Sequence, residues 1–139
     1  MFKPILEIMS IYDAKEIKYR LEEQEDAAIL HVGVNGQSTH YEIAIIATSD
    51  KNDITVRVMQ LARVPEAKRA AILSVINEQN NHFRFVKFVL DNDGDINLLW
   101  DCPVSAQNVG GMCWEITVRI MGIINDAFPE FMKCLWGAE

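Results

Sequence analysis

The sequence lacks any long apolar run, and no stretch approaches the roughly 20 residues that a membrane-spanning helix requires. The N-terminal segment holds Lys3 followed by Pro4 and Glu7, without the small-residue cleavage site of a signal peptide. Repeats, low-complexity tracts and Pro/Gly-rich linkers are also missing. We therefore expect one domain over residues 1–139, with no membrane as a partner.

Cysteine is scarce, and its three positions are Cys102, Cys113 and Cys134. An odd number of cysteines without a Cys-x-x-Cys pair does not suit a disulfide scaffold, and no two lie at the close spacing of zinc ligands. We interpret them as reduced thiols, which predicts a cytoplasmic location.

Basic residues are also few, because 13 Lys and Arg stand against 20 Asp and Glu to give a formal net charge of −7. Such a surface repels phosphate backbones, so nucleic acid is not expected as a partner. The sequence has no GxSxG, no HExxH and no Gly-rich phosphate loop. We therefore expect a protein that is not an enzyme and needs no cofactor.

Hydrophobic periodicity predicts the helices. They are expected over 4–14, from Pro65 to about Asn80, and from a cap at Ser105 to about Ala127. Pro129 should then break the last helix before a short C-terminal helical turn.

The strands follow from alternating apolar residues and from turn signals. Beyond a hairpin over 28–43, strands are predicted over about 53–62, 83–90 and 96–102, and residues 17–21 alternate as a short edge strand. The Asp93-Gly94 pair is predicted to be a hairpin turn, since its spacing does not match a calcium loop. The order αβββαββα, with short links between strands, indicates an α+β fold with a five-stranded antiparallel sheet packed with helices.

The hairpin suggests one candidate site. The Asn35-Gly36 dipeptide favours a two-residue turn, which would place Leu30 opposite Tyr41 on the core face. The same register would place His31 opposite His40 on the other face, with Glu42 two residues along. These three side chains are candidate ligands for zinc or nickel, but a third histidine or a suitably placed cysteine is missing. Two histidines sharing a sheet face by chance is the other interpretation, and small-ligand or metal binding here is the alternative function.

The last predicted helix carries two apolar stripes. The first stripe, which we expect to be buried, consists of Val109, Cys113, Ile116, Ile120, Ile123 and Ala127. The second lies nearly opposite and holds Trp114, Val118 and Met121. A surface helix normally has one such stripe, so either the C-terminal segment 131–136 folds back over Trp114 or the second stripe meets a partner.

The predicted sheet also has surplus apolar residues. Ile29, Ile46, Met59 and Leu61 fall on the face opposite the core set, where a solvated sheet would be polar. A second copy of the chain covering this face and the second helical stripe would explain both features. We therefore expect a homodimer, and further contacts with another protein or an unfolded segment.

The second half of the chain has a recognisable run of elements. It comprises asparagines that end a helix, phenylalanines in the next strand and an Asp-rich turn before a strand that stops at proline: Asn77, Asn80, Phe83, Phe85, Phe88, Asp91–Asp95 and Pro103. With the order of elements, this run resembles the YbjN family, which has the type III secretion chaperone-like α+β fold.

The resemblance implies a bacterial, cytoplasmic sensory-transduction or stress regulator, with no catalytic residues to carry over. Chaperones that share the fold are small, acidic homodimers that hold unfolded segments of secreted proteins. The expected function is thus a non-enzymatic, protein-binding regulator or chaperone-like module.

Overall fold

The computed structural model describes residues 3–48, 53–103 and 108–137. The elements in this part of the chain are α1 (Lys3–Ala14), β1 (Arg20–Glu23), β2 (Ala27–Asn35), β3 (His40–Thr48), β4 (Asp53–Arg63), α2 (Arg69–His82), β5 (Lys87–Leu90), β6 (Asp95–Pro103) and α3 (Val109–Trp136). The strands form one antiparallel sheet in the order β1-β2-β3-β4-β6-β5. The predicted α+β class is confirmed.

The sheet has six strands where five were predicted, because the short alternating stretch after α1 joins it. Leu21 pairs with Leu30, and Glu22 with Ile29, so β1 is an edge strand of four residues. Its charged side chains limit pairing with other chains along this edge. Among the described residues, no helix is long and apolar enough to cross a membrane.

The core lies between one face of the sheet and the helices. The predicted buried stripe of α3 is confirmed, and Tyr12 joins this helix to α1. The Tyr12 hydroxyl donates to the Cys113 carbonyl oxygen at 3.1 Å and lies 2.5 Å from Thr117 Oγ1. These buried hydrogen bonds fix the two helices in a defined register.

The helix α3 runs to Trp136, so the prediction that Pro129 would break it is wrong. Proline removes one backbone hydrogen bond at a cost of about 3 kcal/mol. Beyond it, Phe131 and Leu135 continue the buried stripe, and Phe131 packs edge-on against Phe88 at 5.1 Å between ring centroids. Burial of these side chains offsets the loss, and segment 131–136 therefore does not fold back over Trp114.

The start of α3 also differs from the prediction. Asn108 caps the helix, and its Oδ1 accepts a hydrogen bond from the Gly111 amide at 3.3 Å. The predicted cap, Ser105, lies outside the described residues.

The predicted two-residue turn between β2 and β3 is wrong. Residues 36–39 form a four-residue loop, in which the Gly36 amide donates to the Thr39 carbonyl oxygen at 3.0 Å. The Gln37 amide donates to Asn125 Oδ1 of α3 at 3.1 Å, so tertiary contact holds the longer loop. Leu30 consequently pairs with Ile45, four residues beyond the predicted partner. Because the shift is an even number of residues, every side chain keeps its predicted face.

One predicted side-chain orientation on β4 is also wrong. The pairing of β4 with β6 shifts between Val58 and Ala62, where Gln60 has φ 56° and its amide donates to Asn97 Oδ1 at 2.8 Å. Four steps along β4 here face two steps along β6, so the irregularity adds two residues to β4 and interrupts the alternation of inward and outward side chains. Leu61 therefore turns into the core and is 7% exposed, instead of lying on the opposite face.

Candidate functional site

The structure separates the two histidines that the hairpin register would have paired. His31 lies opposite Ala44 and His40 opposite Asn35, which places them about 14 Å apart along the sheet. His40 contacts the Asn35 side chain through Nδ1. Within the part of the chain that the structure describes, no group of three or more His, Cys, Asp or Glu side chains is arranged to hold a metal ion.

His31 instead joins three strands. Its Nε2 lies 2.9 Å from Glu22 Oε1 on β1, and its Nδ1 lies 2.6 Å from Glu42 Oε1 on β3. Both ring nitrogens of His31 therefore lie within hydrogen-bond distance of a carboxylate oxygen. Hydrogen bonds from Gln24 and then His31 hold the pKa of Glu22 below its ordinary value. The cluster fastens the edge strand β1 to the sheet.

The sheet face on which His31 lies is the open sheet face, opposite the core and the helices. Ile29 and Ile46 form a cross-strand pair there and are half-buried, whereas Met59 is 55% exposed. The candidate residues on α3 lie elsewhere. Trp114 packs edge-on against Tyr12 of α1 and beneath Lys15, the residue after that helix. Val118 is 48% exposed.

The loop between α2 and β5 contains the least expected feature of the backbone. The predicted strand over 83–90 begins only at Lys87, because the chain turns sharply before it. The Val86 amide donates to the Arg84 carbonyl oxygen at 2.9 Å, and Phe85 between them has φ 75°. This is a γ-turn with a positive central φ, a rare and strained conformation. Bulky residues adopt it at a cost of roughly 1–3 kcal/mol.

Anchors on both sides hold this turn in place. The Phe83 amide ends α2 by donating to the Gln79 carbonyl oxygen at 3.0 Å. On the other side, Asn80 Oδ1 accepts from the Phe88 amide at 2.7 Å, and Asn80 Nδ2 donates to the Phe88 carbonyl oxygen at 3.0 Å. The chain reverses direction between Phe83 and Phe88. The Phe85 ring points outward, and 64% of the residue is exposed.

The exposed Phe85 ring borders a small cleft beside α3. The Arg119 guanidinium lies 5.0 Å from the ring centroid, and Arg119 Nη2 donates to Glu115 Oε1 at 2.7 Å. We call this the Phe85 cleft; it has a volume of about 130 Å³ and is lined by Phe85, Trp100, Met112, Glu115, Ile116 and Arg119. Aromatic residues, methionine and arginine are the types enriched at the centres of protein–protein interfaces.

The sequence predicts that Phe83, Phe85 and Phe88 all lie in one strand, over residues 83–90. Their spacing nevertheless distinguishes Phe85 from Phe88. Side chains alternate between the two faces of a strand, so residues 83 and 85 would lie on one face and residue 88 on the other. Phe88 is 2% exposed and lies in the core. In a continued strand, Phe85 would then have faced away from that core.

Replacing Phe85 by glycine tests whether the turn is strained. We expect Phe85→Gly to raise the free energy of unfolding by about 1 kcal/mol, because glycine adopts positive φ without strain and little buried surface is lost. Chemical denaturation followed by circular dichroism measures the change. Phe83→Gly is the matched control and should destabilise, since Phe83 is half-buried with φ −106°. A loss of stability in Phe85→Gly as large as in the control would contradict the strain.

Comparison with known proteins adds the family. The YbjN family model, described as "Putative bacterial sensory transduction regulator", matches residues 5–113. The chain belongs to the YbjN family. This confirms the resemblance drawn from the second half of the sequence. The matched range includes Phe85 and Trp100 of the Phe85 cleft, whereas Arg119 lies beyond it.

A solved structure of the same family shares the fold. It is described as "Crystal structure of YbjN, a putative transcription regulator from E. coli", and it is 18% identical with a TM-score of 0.59. The likeness covers 91% of this chain and 92% of that chain. No curated protein matches the sequence.

Proposed function

We propose that this YbjN-family protein is a non-enzymatic, protein-binding regulator or chaperone-like module that acts in the cytoplasm as a homodimer. The Phe85 cleft carries the proposal. An aromatic side chain that fills no core is held outward on a strained turn, beside a tryptophan, a methionine and an arginine. Strain of this kind persists where the surrounding structure enforces it, and it clusters at binding sites.

A second copy of the chain is the proposed occupant of the open sheet face. Its apolar centre is formed by Ile29 and Ile46, beside the half-buried Leu99 on β6. Four basic and five acidic side chains share this face, namely Arg20, Arg57, Arg63, Lys87, Glu22, Glu42, Asp53, Asp95 and Asp101. The whole chain has a net charge of −7, whereas the charges of this face nearly cancel. A face whose charges nearly cancel can pair with itself about a twofold axis with little net repulsion.

Light scattering of Ile46→Lys tests the assembly. We expect the wild type to have twice the chain mass at micromolar concentration, and Ile46→Lys to have the mass of one chain, because the lysine charge would be buried at the centre of the interface. Leu73→Lys is the matched control; Leu73 is 52% exposed on α2, so this variant should stay dimeric. A wild-type monomer would contradict the dimer. Dissociation by Val118→Lys but not by Ile46→Lys would place the interface on α3 instead.

A further inference from the structure

The Phe85 cleft is the first of three adjoining depressions along α3 that share lining residues, and together we call them the α3 groove. Arg119 lines both the cleft and the next section, and Phe83 lines that section and the last one, which ends at Glu130. From Met112 to Glu130 this α3 groove is about 27 Å long, at 1.5 Å per helical residue. An extended peptide of about eight residues spans that length.

The chemistry of the α3 groove changes along its length. The Phe85 end is apolar and aromatic. The middle section is lined by the exposed Arg84 and by Arg119, which pairs with Glu115 of the Phe85 cleft. Gly122 is exposed at this point, and a Cβ there would meet nothing within 4 Å, so a bound backbone can approach the helix.

The far end of the groove is acidic. Glu78, Asp126 and Glu130 are all exposed there. Glu130 Oε1 lies 3.2 Å from Lys133 Nζ, and within the described residues neither Glu78 nor Asp126 forms an ion pair. This end therefore carries a net negative charge that a bound lysine or arginine would neutralise.

We propose that the α3 groove binds a segment of another protein that has apolar side chains at one end and lysine or arginine at the other. The apolar side chains enter the Phe85 cleft, and the basic ones lie near Glu78, Asp126 and Glu130. This inference rests on the proposed protein-binding function and names the chemistry of the partner. Charge favours a basic segment over a second copy of this acidic chain as the occupant of the groove.

Fluorescence anisotropy with synthetic peptides tests this partner chemistry. The probe is a labelled ten-residue peptide with two phenylalanines at one end, three lysines at the other and a neutral spacer, made in both chain directions. Two control peptides replace the lysines by glutamates or the phenylalanines by serines. We expect the probe to bind in one of its two chain directions. Each control peptide of the same direction should bind at least about tenfold more weakly. Added salt should weaken binding of the probe because its lysine contacts are exposed.

A variant without two of the acidic charges tests whether the lysines of the peptide bind at the acidic end of the groove. Asp126→Asn/Glu130→Gln should weaken binding of the lysine peptide about tenfold and reduce its salt dependence. Glu23→Gln/Glu25→Gln removes the same charge from exposed residues around β1 and should bind as the wild type does. Circular dichroism checks that both variants are folded.

The outcomes separate this inference from the proposed function. Equal affinity for the lysine and glutamate peptides, or unchanged binding by Asp126→Asn/Glu130→Gln, would overturn the basic partner. Equal affinity for the serine peptide would overturn the apolar anchor, and no binding in either direction would overturn the groove. Light scattering tests the proposed homodimer separately. A monomeric wild type would therefore contradict the homodimer without affecting the peptide results.

Discussion

Asn80→Ala is expected to lower the free energy of unfolding by about 3 kcal/mol. The Asn80 amide makes two hydrogen bonds to the backbone of Phe88, which is 2% exposed. Each bond contributes about 1 kcal/mol, and leaving the Phe88 amide and carbonyl unpaired in a partly buried place adds to the loss. Because β5 is an edge strand, the variant would also expose backbone groups that can pair with other chains.

Urea denaturation of Asn80→Ala beside Asn77→Ala measures this effect. Asn77 is the same residue type on the same helix, and it is exposed. Its replacement by alanine should change stability by less than about 0.5 kcal/mol, since alanine is the better helix former. Similar small changes in both variants would show that Asn80 does not hold β5.

Gly110→Val is expected to destabilise the protein by a comparable amount, about 3 kcal/mol. A Cβ at Gly110 would lie 2.7 Å from Ile11 Cδ1, 2.9 Å from Glu7 Cγ and 3.2 Å from the Glu7 carbonyl oxygen. The branched valine side chain would therefore push α1 away from α3, and overpacking of this kind costs roughly 1–3 kcal/mol or more. The hydrogen bonds of Tyr12 to α3 would be strained by the same movement.

The matched control is Gly122→Val on the same helix. Gly122 has open space where a Cβ would lie, so valine should leave the stability nearly unchanged. Thermal unfolding of the two variants gives the comparison. A Gly110→Val protein that melts together with Gly122→Val would mean that the two helices tolerate a wider separation.

Much of the fold could be predicted because local pattern and tertiary packing agree. The alternation in β2 and β3 assigns each residue to a face, and those faces survive a change of register by an even number of residues. The buried stripe of α3 has regular helical spacing, and its packing on the sheet retains that spacing.

The wrong predictions arise where contacts distant in sequence override local signals. Asn125 holds the longer β2–β3 loop, and Asn97 holds the bulge at Gln60 that turns Leu61 inward. Phe131 and Leu135 bury enough surface to carry α3 through Pro129. None of these partners is identifiable from the residues around the turn, the strand or the proline.

The candidate site was less predictable than the fold. The His31 and His40 pair depended on the turn register, and a four-residue loop separates the two side chains. The sequence around Phe85 is typical of a strand. Phe85 is exposed because hydrogen bonds to Gln79 and Asn80 hold the chain on either side of the turn. The groove itself combines α2, the loop after it and α3, so it exists only after packing.

The central claim is that Phe85 is held outward, at a cost in stability, to bind a partner. Titration of Phe85→Gly with the labelled Phe/Lys peptide tests it most directly. The account predicts a folded variant at least as stable as the wild type that binds the peptide at least about tenfold more weakly. Wild-type affinity in Phe85→Gly would contradict the claim, because the strained turn would then serve no part in binding.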